Sequence, residues 1–248
     1  MTHSTPTKPR LLLREARVLE VAEELLEERG YLGLHLDEVA RAVEVSRPTL
    51  YNHFSSKEDL IAGIANGYLR ERRRLFRQSL AFPGTSREKL CCVGVAYGIL
   101  AEERPQALAT LQLVRSPSIW EKVQDARQEE LQENTEACFR VMLELVERGR
   151  HQGELPEDAP VPPAAIVAGI VSLSHGTFLL NRDLSFFTSV LGEPTPGFLF
   201  EHYTALLDGY RWRPLSTETD YRACRLRARL FLRPEGKAEP ETAAGHRS

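Results

Sequence analysis

The spacing of apolar residues constrains this chain more than any other feature: it is helical throughout and nowhere alternates as it would along a strand. An all-α fold follows, in which each helix buries one stripe against its neighbours. Between Arg14 and Arg29, Val18, Val21, Ala22 and Leu25 stand at i, i+3, i+4 and i+7, and Gly30 follows where a left-handed C-terminal cap belongs. A short second helix is expected from Leu36 to Val43, with Leu36, Val39, Ala40 and Val43 on one face. At 248 residues, 42% hydrophobic and 27% charged, the chain has the length and composition for a well-buried core. No apolar run reaches the ~20 residues of a membrane helix, and Met1 to Arg10 lacks the apolar centre of a signal peptide. A cytoplasmic protein without membrane contact is therefore expected.

A third helix begins three residues after the second. Ser46 is placed to cap it by accepting from the Thr49 amide, and Pro48 in its first turn sacrifices only a donor that has no intrahelical acceptor. Leu50 and Phe54 face inward, which leaves Arg47, Thr49, Tyr51, Asn52 and His53 toward the outside. A merely solvated face favours Lys and Glu, whereas one cation among several hydrogen-bonding side chains suits recognition. Two short helices joined by Glu44-Val45-Ser46 make a helix-turn-helix, whose first helix braces while the second enters the major groove. Ser56-Lys57-Glu58-Asp59 then opens a fourth helix, with Ser56 as cap and the acids near its positive end. Its inner stripe is Leu60, Ile61, Ile64, Ala65 and Tyr68, and Arg70, Arg72, Arg73, Arg74 and Arg77 form a basic cluster further along.

Glu28-Arg29-Gly30-Tyr31, Leu36-Asp37-Glu38-Val39-Ala40, the run from Val45 to Phe54 and Lys57-Glu58-Asp59-Leu60 stand at fixed distances from one another. Over Ala16 to Leu60 this arrangement resembles the tetracycline-repressor (TetR) family of transcriptional regulators. The resemblance implies an N-terminal three-helix DNA-binding domain and a C-terminal helical domain that dimerises and encloses a ligand. It implies a repressor, without cofactor, that binds a palindromic operator and is released by a small hydrophobic effector. Tyr51, His53 and Lys57 correspond to residues that grip phosphates; Arg47, Thr49 and Asn52 approach bases or nearby backbone; His35, Ser46 and Pro48 complete the DNA-facing set. The chemistry agrees, since Arg reads guanine bidentately, Asn reads adenine and the Thr methyl meets thymine. For His53, packing beside Phe54 is the alternative. Two positions depart from the family. Glu44 stands where Gly is usual, and a side chain on a left-handed backbone there costs roughly 1–2 kcal/mol. His35 replaces the usual Ser or Thr cap of the second helix, weakening that cap and a phosphate contact.

On this reading, residues 1–13 form a flexible arm, 14–60 the DNA-binding domain, 61–80 a connecting helix, 81–210 the effector-binding and dimerisation domain, and 211–248 a basic, partly disordered extension. Helices are expected near 87–103 and 105–115, as one long helix from Ser116-Pro117 to about Arg148, and beyond the Pro- and Gly-containing loop from Gly149 to Pro163 as Pro163 to Asn181 and Pro196 to Leu207. Small residues on the former (Ala164, Ala165, Ala168, Gly169, Ser172, Gly176) permit close helix approach. Ile166, Ile170, Leu173, Leu199 and Leu206 are accordingly candidate dimer-seam residues, with an internal helix pair in a monomer's core as the alternative. Candidate walls of a ligand pocket are Tyr97, Leu100, Leu111, Trp120, Phe139, Met142 and Phe178, with His175 as a polar handle; plain core is the alternative for each.

A net charge of -3 argues mildly against nucleic acid, but the average hides a gradient. Residues 1–80 carry 13 basic and 12 acidic side chains, 81–208 carry 10 and 18, and 209–248 carry 9 and 5. The acidic middle is expected to face away from DNA. Arg222, Arg225, Arg227, Arg229 and Arg233, around Leu226, Leu230 and Phe231, read as a short basic helix packed on the body, its arginines either touching phosphate or solvated. Cys91, Cys92, Cys138 and Cys224 have neither CxxC nor Cys/His ligand spacing, so reduced thiols and no metal are expected. The rival functions are a helical enzyme and a non-specific nucleoid protein. Against an enzyme, no phosphate-cradling Gly loop, nucleophile elbow or HExxH spacing accompanies His151, His175 and His202.

Overall fold

Proline opens several of the helices, where its missing N–H leaves no bond unmade: Pro48, Pro105, Pro117 and Pro163 each lie in a first turn. The structure, a computed structural model, describes residues 8–182 and 198–233. Their elements in order are α1 (Lys8–Gly33), α2 (Leu36–Ala42), α3 (Arg47–His53), α4 (Lys57–Ser79), α5 (Ser86–Glu103), α6 (Pro105–Val114), α7 (Pro117–Trp120), α8 (Asp125–His151), α9 (Pro163–Arg182), α10 (Phe198–Gly209) and α11 (Tyr221–Leu232). All are helices, as the apolar spacing requires.

Two boundaries differ from the sequence expectation. Helix α1 begins at Lys8, so part of the expected arm is helical, and it bends at Gly30 (φ 68°) before resuming to Gly33. The long helix expected from Ser116 is broken after Trp120, and α8 starts afresh at Asp125. The backbone released by that break is used: the Lys122 carbonyl accepts from Ser56 Oγ (3.1 Å), and the Gln124 amide donates to Asp59 Oδ1 (3.1 Å). Within α9, Pro163–Leu180 is long and apolar enough, by composition, to cross a membrane, a test that a core helix also passes. The expected start at Pro196 and the tail beyond Pro234 lie outside the described residues.

Two compact units do not follow chain order. One combines the chain up to Arg74 with Gly98–Phe139; the other combines Leu75–Tyr97 with the chain from Arg140. The division thus passes through α4, α5 and α8 rather than between the expected linear domains. In the first unit the core is Val18, Val21, Ala22 and Leu26 of α1, Leu36, Val39 and Ala40 of α2, Leu50 of α3 with Phe54 behind it, and Leu60, Ile61 and Ile64 of α4. Leu26 rather than Leu25 completes the α1 stripe. Each large apolar side chain so buried contributes about 1.5–3 kcal/mol of transfer free energy.

The second unit is organised around Trp212 and Arg87, both fully buried. Trp212 Nε1 donates to Ser86 Oγ (3.1 Å), and a Cβ on Gly149 would lie 2.8 Å from that nitrogen, so only glycine lets α8 approach. Arg87 donates to the Trp212 and Thr204 carbonyls, pairs with Asp208 (2.7 Å) and lies 4.6 Å from the Tyr221 ring centre. Helix α11 is capped by Asp220, which accepts from the Arg222 and Ala223 amides, and buries Tyr221, Cys224, Ala228 and Leu232. Its arginines are engaged within the unit: Arg227 pairs with Glu88 (2.8 Å), Arg222 with Glu201 (3.4 Å), and Arg225 faces the Phe200 ring. The basic helix is therefore packed on the rest of its unit. The four cysteines are free thiols.

Candidate nucleic-acid interface

The turn between α2 and α3 is built from backbone hydrogen bonds. The Glu44 amide donates to the Arg41 carbonyl (3.2 Å) and the Val45 amide to the Ala40 carbonyl (3.0 Å), the paired bonds of a Schellman motif. Glu44, at the position that motif assigns to a left-handed residue, has φ 55°. The departure from glycine therefore falls where the backbone is least tolerant of a side chain. His35, the N-cap of α2, is extended and makes no side-chain cap bond. Ser46 does cap α3: its Oγ accepts from the Thr49 amide (3.3 Å) and bonds the Thr49 hydroxyl (2.7 Å).

With Leu50 and Phe54 buried, α3 presents Arg47, Pro48, Tyr51 and Asn52 as exposed and Thr49 and His53 as half-exposed. Tyr51 is 48% exposed, an aromatic side chain left largely open to solvent. Arg47 forms an ion pair with Asp37 of α2, so a neighbouring carboxylate holds this cation. Lys57 is engaged too: Nζ donates to the Tyr31 carbonyl (2.7 Å) and sits 4.2 Å from that ring's centre. His53 stands beside Phe54 with ring centres 6.5 Å apart, while remaining half-exposed.

At the start of α4, Ser56 Oγ accepts from the Asp59 amide (3.0 Å) and Asp59 Oδ2 accepts from the Ser55 amide (3.1 Å), a reciprocal cap. Glu58 accepts from the Tyr31 hydroxyl (3.0 Å) and pairs with Lys122 (3.1 Å). Burial alone would raise the Glu58 pKa, but its own amide, Lys122 and Tyr31 outweigh it and hold the carboxyl below the usual range. Burial, then the Glu58 carboxylate, push the Tyr31 phenol up.

One residue of this constellation escaped the sequence reading. Arg127 of α8 donates from Nη2 to the His53 carbonyl at the end of α3 (2.9 Å), pairs through Nη1 with Glu15 (3.1 Å) and through Nε with Asp59 (3.3 Å), and lies 4.4 Å from the Phe54 ring centre. No local motif marks it.

The expected effector and dimer residues are less unified. Leu100, Leu111, Trp120 and Phe139 belong to the first unit, and Tyr97, Met142, His175 and Phe178 to the second. His175 Nδ1 already bonds the Val171 carbonyl (3.0 Å). Helices α9 and α10 pack on each other, Tyr203 Oη bonding Ser174 Oγ and reaching the Ile170 carbonyl (3.4 Å). Burial there, against the Ser174 bond, pushes the Tyr203 phenol up to about 12. Ile166 and Ile170 are buried within their own chain; Leu173, Leu199 and Leu206 are half-buried. The outward stripe of α9 is instead Ala164, Ala168 and Ser172, followed at the same spacing by Gly176 and Leu180.

A short capped helix with an outward set of arginine, hydroxyl, carboxamide and imidazole groups, braced by a second helix across a Schellman turn, defines a helix-turn-helix DNA-binding protein. The model of the tetR family of bacterial regulatory proteins matches residues 18–64, the segment that carries this helix-turn-helix. Over 173 residues it is 27% identical to the HTH-type transcriptional activator FasR of Mycolicibacterium smegmatis, covering 68% of this chain and 74% of FasR. Over 48 residues it is 42% identical to the HTH-type transcriptional regulator EthR of Mycobacterium tuberculosis, 19% of this chain and 22% of EthR. Its fold matches the crystal structure of the transcriptional regulator FadR from Bacillus subtilis in complex with stearoyl-CoA (TM-score 0.58, 16% identity, 79% of this chain and 97% of FadR). These relatives are regulators rather than enzymes.

Proposed function

We propose that the protein is a cytoplasmic, dimeric repressor that reads a palindromic operator through α3 and leaves it when a hydrophobic effector binds. The observation that carries this reading is the exposed Arg47, Tyr51 and Asn52 with the half-exposed Thr49, on a helix whose start is fixed by the Ser46 cap. Arg47, Thr49 and Asn52 meet bases; Tyr51, His53 and Lys57 meet phosphates; Ser46 and Pro48 set the helix start against the backbone, and His35 stands at the adjoining edge. The small outward stripe of α9 supports a dimer, because it lets a partner helix approach closely without a large side chain intervening. Two such heads about 34 Å apart address one face of a duplex.

The effector is apolar, carrying an acyl chain of the kind FadR is seen to hold, and the buried Leu100 and Leu111 supply matching surface. To move the protein from 1:99 to 99:1 off the operator, it must favour the released state by about 5.5 kcal/mol.

The test is binding to the DNA flanking the gene, by footprint and gel retardation. Lys57→Ala should weaken binding to every sequence and reduce the salt dependence by about one phosphate, while Arg47→Ala should relax preference at particular base pairs by about 1–3 kcal/mol. Stearoyl-CoA is the first effector to titrate. Equal footprints for wild type and both variants would contradict the docking. Because FasR is an activator, a reporter driven from the bound promoter decides the sign: expression that rises when the gene is deleted supports repression, and a fall overturns it.

A further inference from the structure

A recognition helix is useful only if its pitch in the groove is held. Helix α3 is seven residues, about 10 Å long, and its last carbonyls have no intrahelical donor. The bond from Arg127 to the His53 carbonyl supplies one, and places a cation at the negative end of the helix. The same guanidinium hydrogen-bonds Glu15 of α1 and forms an ion pair with Asp59 of α4, whose side chain is fully buried. Three elements of the reading head are thus joined through one planar fork.

The base of that fork is itself held. Asn66 donates to the Arg127 carbonyl (3.2 Å), Arg70 to Glu130 (2.7 Å) and Arg73 to Asn134 (3.2 Å). The partners are 61, 60 and 61 residues apart, so α4 and α8 run parallel in a single register across these rungs. Part of the basic cluster noticed on α4 is consumed here rather than by DNA. At the other side of Arg127, the Lys122 and Gln124 backbone groups exposed by the break before α8 are fastened to Ser56 and Asp59.

We propose that Arg127 is a positioning residue for operator recognition: from α8 it fixes the C-terminal end of α3, and so the angle at which Arg47, Thr49 and Asn52 meet the bases, without touching DNA. This rests on the DNA-reading role of α3. A 1 Å displacement of the helix end tilts a 10 Å helix by about 5°, enough to spoil a bidentate base contact while leaving phosphate contacts in reach. Lysine cannot replace the arginine, because a single ammonium does not present the planar fork that serves His53, Asp59 and Glu15 at once.

The test uses the full chain and the duplex that wild-type protein enriches from a random library, at a temperature where circular dichroism shows every variant folded. Arg127→Lys should lose about tenfold or more in affinity for the enriched duplex, change less than about twofold toward an unrelated duplex of equal length, and enrich a less defined sequence on reselection. The double variant Asp59→Asn, Arg127→Gln removes both charges together, so no buried carboxylate is left unpaired; it should lose the same preference. A purely structural role would lower thermal stability and leave the ratio of the two affinities unmoved. An unchanged ratio in either folded variant overturns the proposal. A wild-type chain that enriches no sequence overturns the DNA-reading function and this role with it.

Discussion

Replacing Glu44 by glycine should stabilise the protein while removing nothing the fold uses. Glu44 is exposed, its side chain has no hydrogen bond or ion pair among the described residues, and its backbone sits at φ 55°. Holding a side chain in that region costs about 1–2 kcal/mol. Glycine relieves this but adds freedom to the unfolded chain, returning about 0.4–1 kcal/mol. The net expectation is a gain of about 0.5–1 kcal/mol, or a rise of about 1–4 °C in Tm for a chain of this size. Urea unfolding followed by far-ultraviolet circular dichroism, without DNA because a negative charge is also lost, should show a higher midpoint at an unchanged slope. A midpoint that stays or falls at the same slope would refute both the strain at Glu44 and the Schellman geometry assigned to the turn.

His35→Ser should add about 1 kcal/mol by restoring a cap to α2, read in the same urea assay. Gly149→Ala should cost about 1–3 kcal/mol, because the new methyl meets Ser86 Oγ and Trp212 Nε1 below van der Waals contact; a fall in Tm with loss of the Trp212 fluorescence environment checks it. Burial works to raise the Asp208 pKa, but the Ser216 hydroxyl and amide and the Arg87 guanidinium hold it below the ordinary 3.8. A folded value below the unfolded one adds stability that is present above pH 3.8 and lost as the pH falls through the folded value. Asp208→Asn should therefore lower stability at pH 7 and flatten the acid limb of a stability profile below pH 4.

The parts legible in the sequence are those whose cause is local. Ser46 and Pro48 announce the start of α3 because capping is a matter of residues three apart, and the turn at Glu44 could be placed because Schellman bonds close within six residues. The break between Trp120 and Asp125 was not legible: nothing within Glu121-Lys122-Val123-Gln124 forbids a helix, and the partners that make it favourable, Ser56 and Asp59, lie more than 60 residues away. Arg127 was missed for the same reason, since on its own helix it is one more charged residue. Ile166 and Ile170 show the converse limit. Periodicity finds an apolar face, but whether that face meets its own chain or a second one depends on Tyr203 and the rest of α10.

The most direct measurement is selection of DNA from a random library by the full chain, followed by hydroxyl-radical footprinting on the enriched duplex. If α3 reads DNA as a paired head, one sequence with twofold symmetry emerges, its two protected patches centred about 10 base pairs apart on one face, and Arg47→Ala blurs specific positions within each half. Retention of all duplexes alike, with uniform protection and no change on losing Arg47, would contradict it.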